Sequence, residues 1–561
     1  MKKLLDCFEY LKRYHIDVLD TISIMLELFI LKSQKPKFIE SLIQKKDTKK
    51  NIIYEELQST IKNLLKPSVY VKINPNINII KILKIIYQTS LDNQIIEQFL
   101  HTITQKKTTN KLYYYSTPLE INKLLVSLLD IEQNDGIYNP CYGIGSVFLS
   151  IANTTKNINL YGEELDEKLS NIAHLVAKIA QIKNTKLYVN DILKQPVFKS
   201  KNGFEKFDKV LCNPPLYAHM GIEYLKEDER FGKMGILVKN YPELIFLTHA
   251  LTHLKTRGVF IIRNQTLQKT SLEEKLREKL CKEKMIEAII ELPKNIFPHQ
   301  NHEFSILVIS PNNENILHIN ANNEHFYQKD GKYNRLLNID ELTHIFRQKS
   351  KTPYSKLTPL NQIQVHDLRA QNYVNRDFSD ISENTLESLG IEIFRGQRVY
   401  GSPKDEKIEY YDVGIADFRP YGMTQNFENK KNHGDIAKIK KYALKSYDIL
   451  LSLRGISPKI TLLGKLNHLC VANAGIIILR AKNKQMAIAL YCYFFRTQGE
   501  NTLKKIYEQS GENTVNIQNL HHLNIPKDYN KNSKKIFEAL QKLALELENT
   551  ENKILKLKGY E

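Results

Sequence analysis

An apolar run, Phe207-Asp208-Lys209-Val210-Leu211-Cys212, ends directly in Asn213-Pro214-Pro215-Leu216-Tyr217. Consecutive prolines fix the backbone and cannot donate to a sheet ladder, so the asparagine ahead of them is held at the exit of a strand. A carboxamide there can read a planar amino group. Its side-chain oxygen and a neighbouring backbone carbonyl both accept hydrogen bonds from one exocyclic NH2, which favours a more tetrahedral, more nucleophilic nitrogen. The chemistry this suggests is methyl transfer to an amino group. In isolation, Asn-Pro-Pro is a strand-ending turn with a capping asparagine, so the weight falls on its surroundings.

From about Ser116 to Ser310, short β-branched runs alternate with helical stretches, the pattern of an open, mostly parallel α/β sheet. The strand Gly136-Ile137-Tyr138-Asn139 runs into Pro140-Cys141-Tyr142-Gly143-Ile144-Gly145-Ser146 and then the helical start Val147-Phe148-Leu149. A Gly-x-Gly turn between strand and helix lets the backbone approach a ligand, although the pattern alone is weak. The next strand ends in Glu163-Glu164, where a carboxylate can accept both hydroxyls of a ribose. A third ends in Asn190-Asp191, and Asn213 closes the fourth. Each of these alone reads more readily as a turn or a cap. Polar or glycine residues at four successive strand ends, facing one crevice, predict a nucleotide-type ligand beside an amino acceptor.

The 561 residues carry 81 Lys+Arg against 62 Asp+Glu, a formal charge of +19. Clustered, that excess suits a polyanion, nucleic acid first, whereas a Lys-, Asn- and Ile-rich composition is the plain alternative. Cys7, Cys141, Cys212, Cys281, Cys470 and Cys492 are scattered without close pairs, which argues against a disulfide framework and a zinc knuckle; no metal is expected. A reducing cytoplasm fits. Polar residues interrupt the start Met1-Lys2-Lys3-Leu4-Leu5-Asp6 before a signal core can form, and no segment is long and uncharged enough to cross a membrane.

Five segments are expected. Residues 1–110 show apolar spacing of three and four, which predicts a helical bundle; 111–310 form the catalytic α/β domain. Residues 311–384 read as a connector packing on it, 385–530 as a mixed α+β domain of short strands, and 531–561 as a helix with near-heptad apolar spacing.

Asn139-Pro140-Cys141-Tyr142-Gly143-Ile144-Gly145, Glu164, Asp191 and Asn213-Pro214-Pro215 resemble the S-adenosylmethionine and catalytic motifs of amino-group DNA methyltransferases. Over residues 1 to 310 the chain resembles, more narrowly, the modification subunit of type I restriction systems. Tyr115-Ser116-Thr117-Pro118-Leu119-Glu120, Asp228-Glu229-Arg230-Phe231 and Glu291-Leu292-Pro293-Lys294-Asn295-Ile296-Phe297 match that family too. The resemblance implies a Rossmann-like, class I S-adenosylmethionine-dependent methyltransferase fold acting on adenine N6. It assigns cofactor contacts to Tyr115, Thr117, Asn139, Pro140, Gly143, Gly145, Glu164, Asp191 and Asn213, and catalysis to Asn213, Pro214, Pro215 and Leu216. The implied mechanism flips an adenine out of duplex DNA, holds its amino group on Asn213 and the Pro214 carbonyl, and attacks the cofactor methyl in line.

Two positions depart from the pattern: the family usually has an acid where Asn139 stands and an aromatic where Leu216 stands. The aromatic is a stacking platform worth on the order of 1–3 kcal/mol, which Tyr217 replaces only if the backbone shifts. These departures motivate the alternative reading, a methyltransferase-fold DNA-binding specificity protein with weak or no catalysis.

Toward the C-terminus, Leu389–Gln397, Lys445–Gly455 and Leu520–Pro526 resemble a target recognition domain of the specificity subunits of the same systems. Arg395, Arg454 and Lys459 are expected at loop positions suited to DNA contacts. The partners implied are double-stranded DNA and either a second copy of the chain or a restriction subunit, in the bacterial cytoplasm at the nucleoid. The sequence has no Gly-x-x-x-x-Gly-Lys-Ser/Thr loop and no convincing nuclease cluster, so cleavage would need another protein.

Overall fold

A computed structural model describes residues 1–14, 17–45, 50–65, 69–105, 116–155, 157–201, 203–215, 223–231, 237, 241–269, 271–298, 300, 302–374, 384–397, 407–419, 421–425, 427, 431–455, 458–509, 515, 517–521 and 523–558. The chain divides into two compact units, Met1–Arg376 and Asp377–Glu561.

The first unit is built on nine strands: β1 Gly136–Asn139, β2 Asn159–Glu164, β3 Asn184–Val189, β4 Phe207–Cys212, β5 Leu254–Arg263, β6 Ile286–Glu291, β7 Phe304–Ile309, β8 Asn315–Asn320 and β9 Ser355–Pro359. They lie in the order β9-β8-β6-β7-β5-β4-β1-β2-β3. β3, β2, β1, β4 and β5 run parallel, and β7 is inserted antiparallel between β5 and β6. Helices cover both faces of the central strands, so burial is not confined to alternate residues; all six residues of β6 and of β7 are buried, Glu287 and Glu291 included. The segment expected as a connector supplies β8 and β9, which extend the same sheet, so its packing on the catalytic domain is through backbone pairing.

Among the described residues, six helices lie ahead of residue 106, Lys2–Lys12, Val18–Gln34, Pro36–Gln44, Lys50–Leu64, Ile79–Gln88 and Asn93–Thr104, and a seventh, Leu119–Leu129, leads into β1. Asp17 caps the second, its carboxylate accepting the Leu19 N–H at 2.9 Å. Residues 21–31 of that helix are buried all round, as expected of a helix with apolar residues on every face. It packs on the helix Glu167–Ile179, and one continuous apolar core runs from Leu4 through Phe29 and Phe99 to Leu160 and Leu175 of the sheet layer. The helices therefore share their core with the sheet instead of enclosing a separate one.

The second unit holds a five-stranded sheet in the order Glu392–Arg395, Ile476–Arg480, Ile449–Ser452, Ile460–Leu463, Met423–Thr424. A three-stranded sheet joins Lys431–Asp435, Lys407–Val413 and Cys470–Ala472. Arg480 pairs with the buried carboxylate of Asp448 at 2.7 Å. The helix Ser533–Leu557 buries Phe537 and Leu540, while Leu543, Leu545 and Leu547 are exposed.

Candidate active site

The register brings the predicted strand ends to one edge of the sheet. Asn139 stands opposite Gly162, Tyr138 opposite Val210, and Glu164 opposite Val189, so the residues after β1, β2, β3 and β4 leave the sheet side by side. Order reverses between β1 and β4, which opens a crevice at the carboxyl ends of the strands. Gly162 allows the close approach of β1 and β2: a Cβ there would sit 2.8 Å from the Asn139 carbonyl oxygen and 2.6 Å from the Tyr142 ring.

The turn after β1 has Gly143 at φ +56° and Gly145 at φ +70°, a conformation costly for a side chain. Asn139 is buried, and its Oδ1 accepts the Cys141 N–H at 3.2 Å, which starts the turn. Glu164 then grips this turn: one carboxylate oxygen accepts the Gly143 N–H at 2.9 Å, and the other accepts the N–H groups of Leu165 and Asp166 at 2.9 and 3.1 Å. Burial lifts its pKa above the usual carboxylate range despite these three donors.

Alternation along β2 separates the two glutamates. Glu163 is fully buried and accepts from the Tyr138 hydroxyl at 2.9 Å, Asn190 Nδ2 at 2.7 Å and the Val197 N–H at 2.8 Å. Asn190 is therefore committed to Glu163. Asp191 is partly exposed, accepts the Leu193 N–H at 3.1 Å and lies 3.3 Å from the Lys194 ammonium.

At the end of β4, Asn213 Nδ2 donates to the Thr117 hydroxyl at 2.8 Å. The Asn213 carbonyl lies 3.7 Å from Cys141 Sγ, itself 3.5 Å from Cys212 Sγ. Pro214 is buried and Pro215 exposed. Tyr115, Leu216 and Tyr217 lie outside the described residues.

Beneath this edge lies a buried polar chain that the sequence did not reveal. Arg230 donates to His249 Nδ1 at 2.9 Å, and His249 Nε2 lies 2.9 Å from the Tyr138 hydroxyl, which reaches Glu163. Arg230 was visible only as part of a matching segment, and nothing local marks His249. Glu291, in another matching segment, is fully buried at the end of β6; it accepts Asn264 Nδ2 at 3.3 Å and pairs with Arg369, a structural use.

In the second unit, Arg395 ends the edge strand instead of lying in a loop, because pairing continues to Arg395 opposite Ile477; its Nε donates to the Ala474 carbonyl at 2.7 Å. Arg454 and Lys459 are exposed and lie in the sequence between the strands Ile449–Ser452 and Ile460–Leu463. The Lys459 N–H donates to Ser452 Oγ at 3.0 Å. Among the described residues, no group of His, Cys, Asp or Glu could hold a metal ion and no helix is long and apolar enough to cross a membrane.

A mostly parallel sheet with β7 inserted antiparallel and β9 antiparallel at the edge, a glycine turn after β1, an acid at the end of β2 and Asn-Pro-Pro after β4 is the fold of a class I S-adenosylmethionine-dependent methyltransferase. The methyltransferase subunit of a type I restriction-modification system from Streptococcus thermophilus superposes with a TM-score of 0.51 at 17% identity, over 67% of this chain and 97% of that one. At that identity the likeness is one of fold.

The family model described as N-6 DNA Methylase matches residues 90–381, over half of the chain, and the chain belongs to that family. It is similar to the type I restriction enzyme MjaVIII methylase subunit of Methanocaldococcus jannaschii, 25% identical over 297 residues, 49% of this chain and 51% of that protein. It is also similar to the MpnII methylase subunit of Mycoplasma pneumoniae, 26% identical over 331 residues, 53% and 59% of the two. The chain spans about half the length of these curated relatives.

Proposed function

We propose that this chain is a sequence-specific DNA methyltransferase that transfers a methyl group from S-adenosylmethionine to adenine N6, as part of a restriction-modification system or alone. The observation that carries the reading is the carboxamide of Asn213, tethered at its nitrogen end beside a glycine turn gripped by Glu164.

The donor chemistry fits S-adenosylmethionine. Glu164 and Asp191, at adjacent strand ends, offer carboxylates for ribose hydroxyls and for the adenine end, and the positive-φ turn at Gly143 and Gly145 brings backbone N–H groups close. Thr117, Asn139, Pro140 and Asn213 surround the methionine end in this reading, with Tyr115 ahead of them. S-adenosylmethionine supplies an electrophilic methyl group when bound. The work of the chain is to present the acceptor: Asn213 Oδ1 and the Pro214 carbonyl accept the two amino hydrogens of an adenine flipped out of the duplex. The rigid Pro214-Pro215 step fixes their spacing, and Leu216 and Tyr217, next in the sequence, are assigned to the base and the DNA.

The second unit is assigned as a target recognition domain fused to the catalytic unit, with Arg395, Arg454 and Lys459 on DNA. The formal charge of +19 is in keeping with a polyanionic partner. A second copy or a restriction subunit is the protein partner, and the cytoplasm the place of action.

The test is transfer of labelled methyl from S-adenosylmethionine to duplex DNA by the full chain, with the product base identified by mass spectrometry. N6-methyladenine is expected, with Asn213→Ala abolishing transfer while DNA binding persists. Sequence-selective DNA binding without transfer at saturating cofactor would leave only the binding protein, and label found in RNA or protein would reassign the acceptor.

A further inference from the structure

We propose that Thr117 is the positioning residue that sets the direction of the Asn213 carboxamide, a role that rests on the amino-methylation reading above. A carboxamide has a donor end and an acceptor end, and only the acceptor end suits an incoming amino group. An Asn213 free to turn about its terminal bond would spend part of its time presenting NH2 to NH2.

In the folded chain the nitrogen end is occupied. Asn213 Nδ2 donates to Thr117 Oγ1 at 2.8 Å, a bond across 96 residues of sequence that joins the segment ahead of the helix Leu119–Leu129 to the exit of β4. With the nitrogen held, Oδ1 is the end left to present. Thr117 is well placed to serve as a fixed post. It is buried, and Pro118 stiffens the backbone after it. Its N–H lies 3.4 Å from the half-buried Ser146 Oγ, and its carbonyl faces the buried Asn122 Nδ2 at 3.5 Å, so both flanks of the residue meet polar groups of neighbouring helices. On the far side, Cys141 Sγ, 3.7 Å from the Asn213 carbonyl, contacts the backbone of the same residue. Backbone and side chain of Asn213 are thus each met by a different element.

This differs from a direct cofactor contact in what a substitution should do. Valine keeps the shape of threonine and cannot accept a hydrogen bond, so Thr117→Val removes the post without opening a cavity; serine restores the acceptor. In the full chain, Thr117→Val is expected to lower kcat for methyl transfer to duplex DNA about tenfold, the rate equivalent of one hydrogen bond. The dissociation constant for S-adenosylmethionine, measured by calorimetry, should rise by a smaller factor than kcat falls, and Thr117→Ser should recover kcat to within a few-fold of the parent. In a crystal structure of the full-length Thr117→Val protein, the Asn213 side chain should leave the conformation that reaches residue 117.

An unchanged kcat in Thr117→Val, or a loss that appears only in cofactor affinity, would overturn the proposal, as would an unchanged Asn213 conformation. If the parent chain transfers no methyl, it is the DNA-methylation reading that fails, and the conformation of Asn213 alone then decides whether Thr117 holds it.

Discussion

A guanidinium nitrogen of Arg230 lies 2.9 Å from Nδ1 of His249, and this contact fixes every proton along a buried chain. Arginine can only donate, so Nδ1 accepts and the imidazole proton sits on Nε2. Nε2–H then donates to the Tyr138 hydroxyl at 2.9 Å, and the hydroxyl donates to Glu163 at 2.9 Å. Burial, then the neighbouring His253 and Arg230, holds the imidazole pKa well below its ordinary value, so the ring is neutral. The same guanidinium donates to the carbonyls of Ile192 and Leu193, both at 2.6 Å, and to both oxygens of Asp228. It ties the chain leaving β3 to the turn that follows the Asn-Pro-Pro segment.

Removing that guanidinium leaves five acceptors without their donor. Arg230→Met is expected to destabilise the first unit by about 3–5 kcal/mol, the usual cost of breaking a buried charged network. Arg230→Lys should recover little, since an ammonium has three donors and no planar fork. Denaturant unfolding followed by circular dichroism measures this. A loss below about 0.5 kcal/mol, the scale of ordinary surface substitutions, would mean that the network contributes no net stability.

Gly145 gives a backbone test. Its φ is +70°, and a Cβ would meet the Phe148 ring at 2.6 Å and Ala173 Cβ at 3.1 Å. Gly145→Ala therefore carries both a conformational penalty and a clash, together on the order of 1–3 kcal/mol. The thermal midpoint should fall, and cofactor affinity should fall with it because the turn moves. A variant as stable as the parent would show that this turn relaxes freely.

The parts of the site that were legible in the sequence are those in which function needs a rigid local pattern. Asn213-Pro214-Pro215 and the Gly143 and Gly145 turn are read from a few consecutive residues, and strand alternation bears on which of Glu163 and Glu164 faces the crevice. The Tyr138–His249 contact spans 111 residues and the Asn213–Thr117 bond 96, and no periodicity encodes either. The common core of the N-terminal helices and the sheet was hidden for a related reason: a helix apolar on all faces announces burial but not its neighbour. β8 and β9 were missed as members of the sheet because their flanking Asn-rich turns dominate the local signal.

Glu97 predicts a pH dependence of stability. It is buried against Ser150, which donates to its carboxylate, and burial raises its pKa to about 7. An acid whose folded pKa is raised is protonated in the folded chain while the unfolded chain is already ionised. Its contribution is therefore fully present below the unfolded value of about 4.5 and is lost as pH rises through about 7. Glu97→Gln keeps an acceptor for Ser150 and removes the ionisation. The variant should be more stable than the parent at pH 8, by an amount on the order of 3 kcal/mol, with the advantage shrinking toward pH 5. A difference independent of pH would show that Glu97 titrates as an ordinary surface acid.

Asn139 stands where the family it resembles usually has an acid, and its geometry makes the reversion informative. The side chain is buried at the end of β1, with Oδ1 accepting the Cys141 N–H at 3.2 Å. An aspartate occupies the same volume and accepts the same bond, more strongly because it is charged. The fold of the turn should survive Asn139→Asp. In the proposed placement of the cofactor, a negative charge at residue 139 favours a ligand that carries a positive sulfonium, so S-adenosylmethionine should bind a few-fold more tightly, an effect of about 1 kcal/mol. S-adenosylhomocysteine, which lacks that charge, should gain little. Calorimetric titration of the parent and variant with both compounds separates the two effects. Equal gains for both would assign the change to better turn geometry, and weaker binding of both would show that the amide is matched to its surroundings.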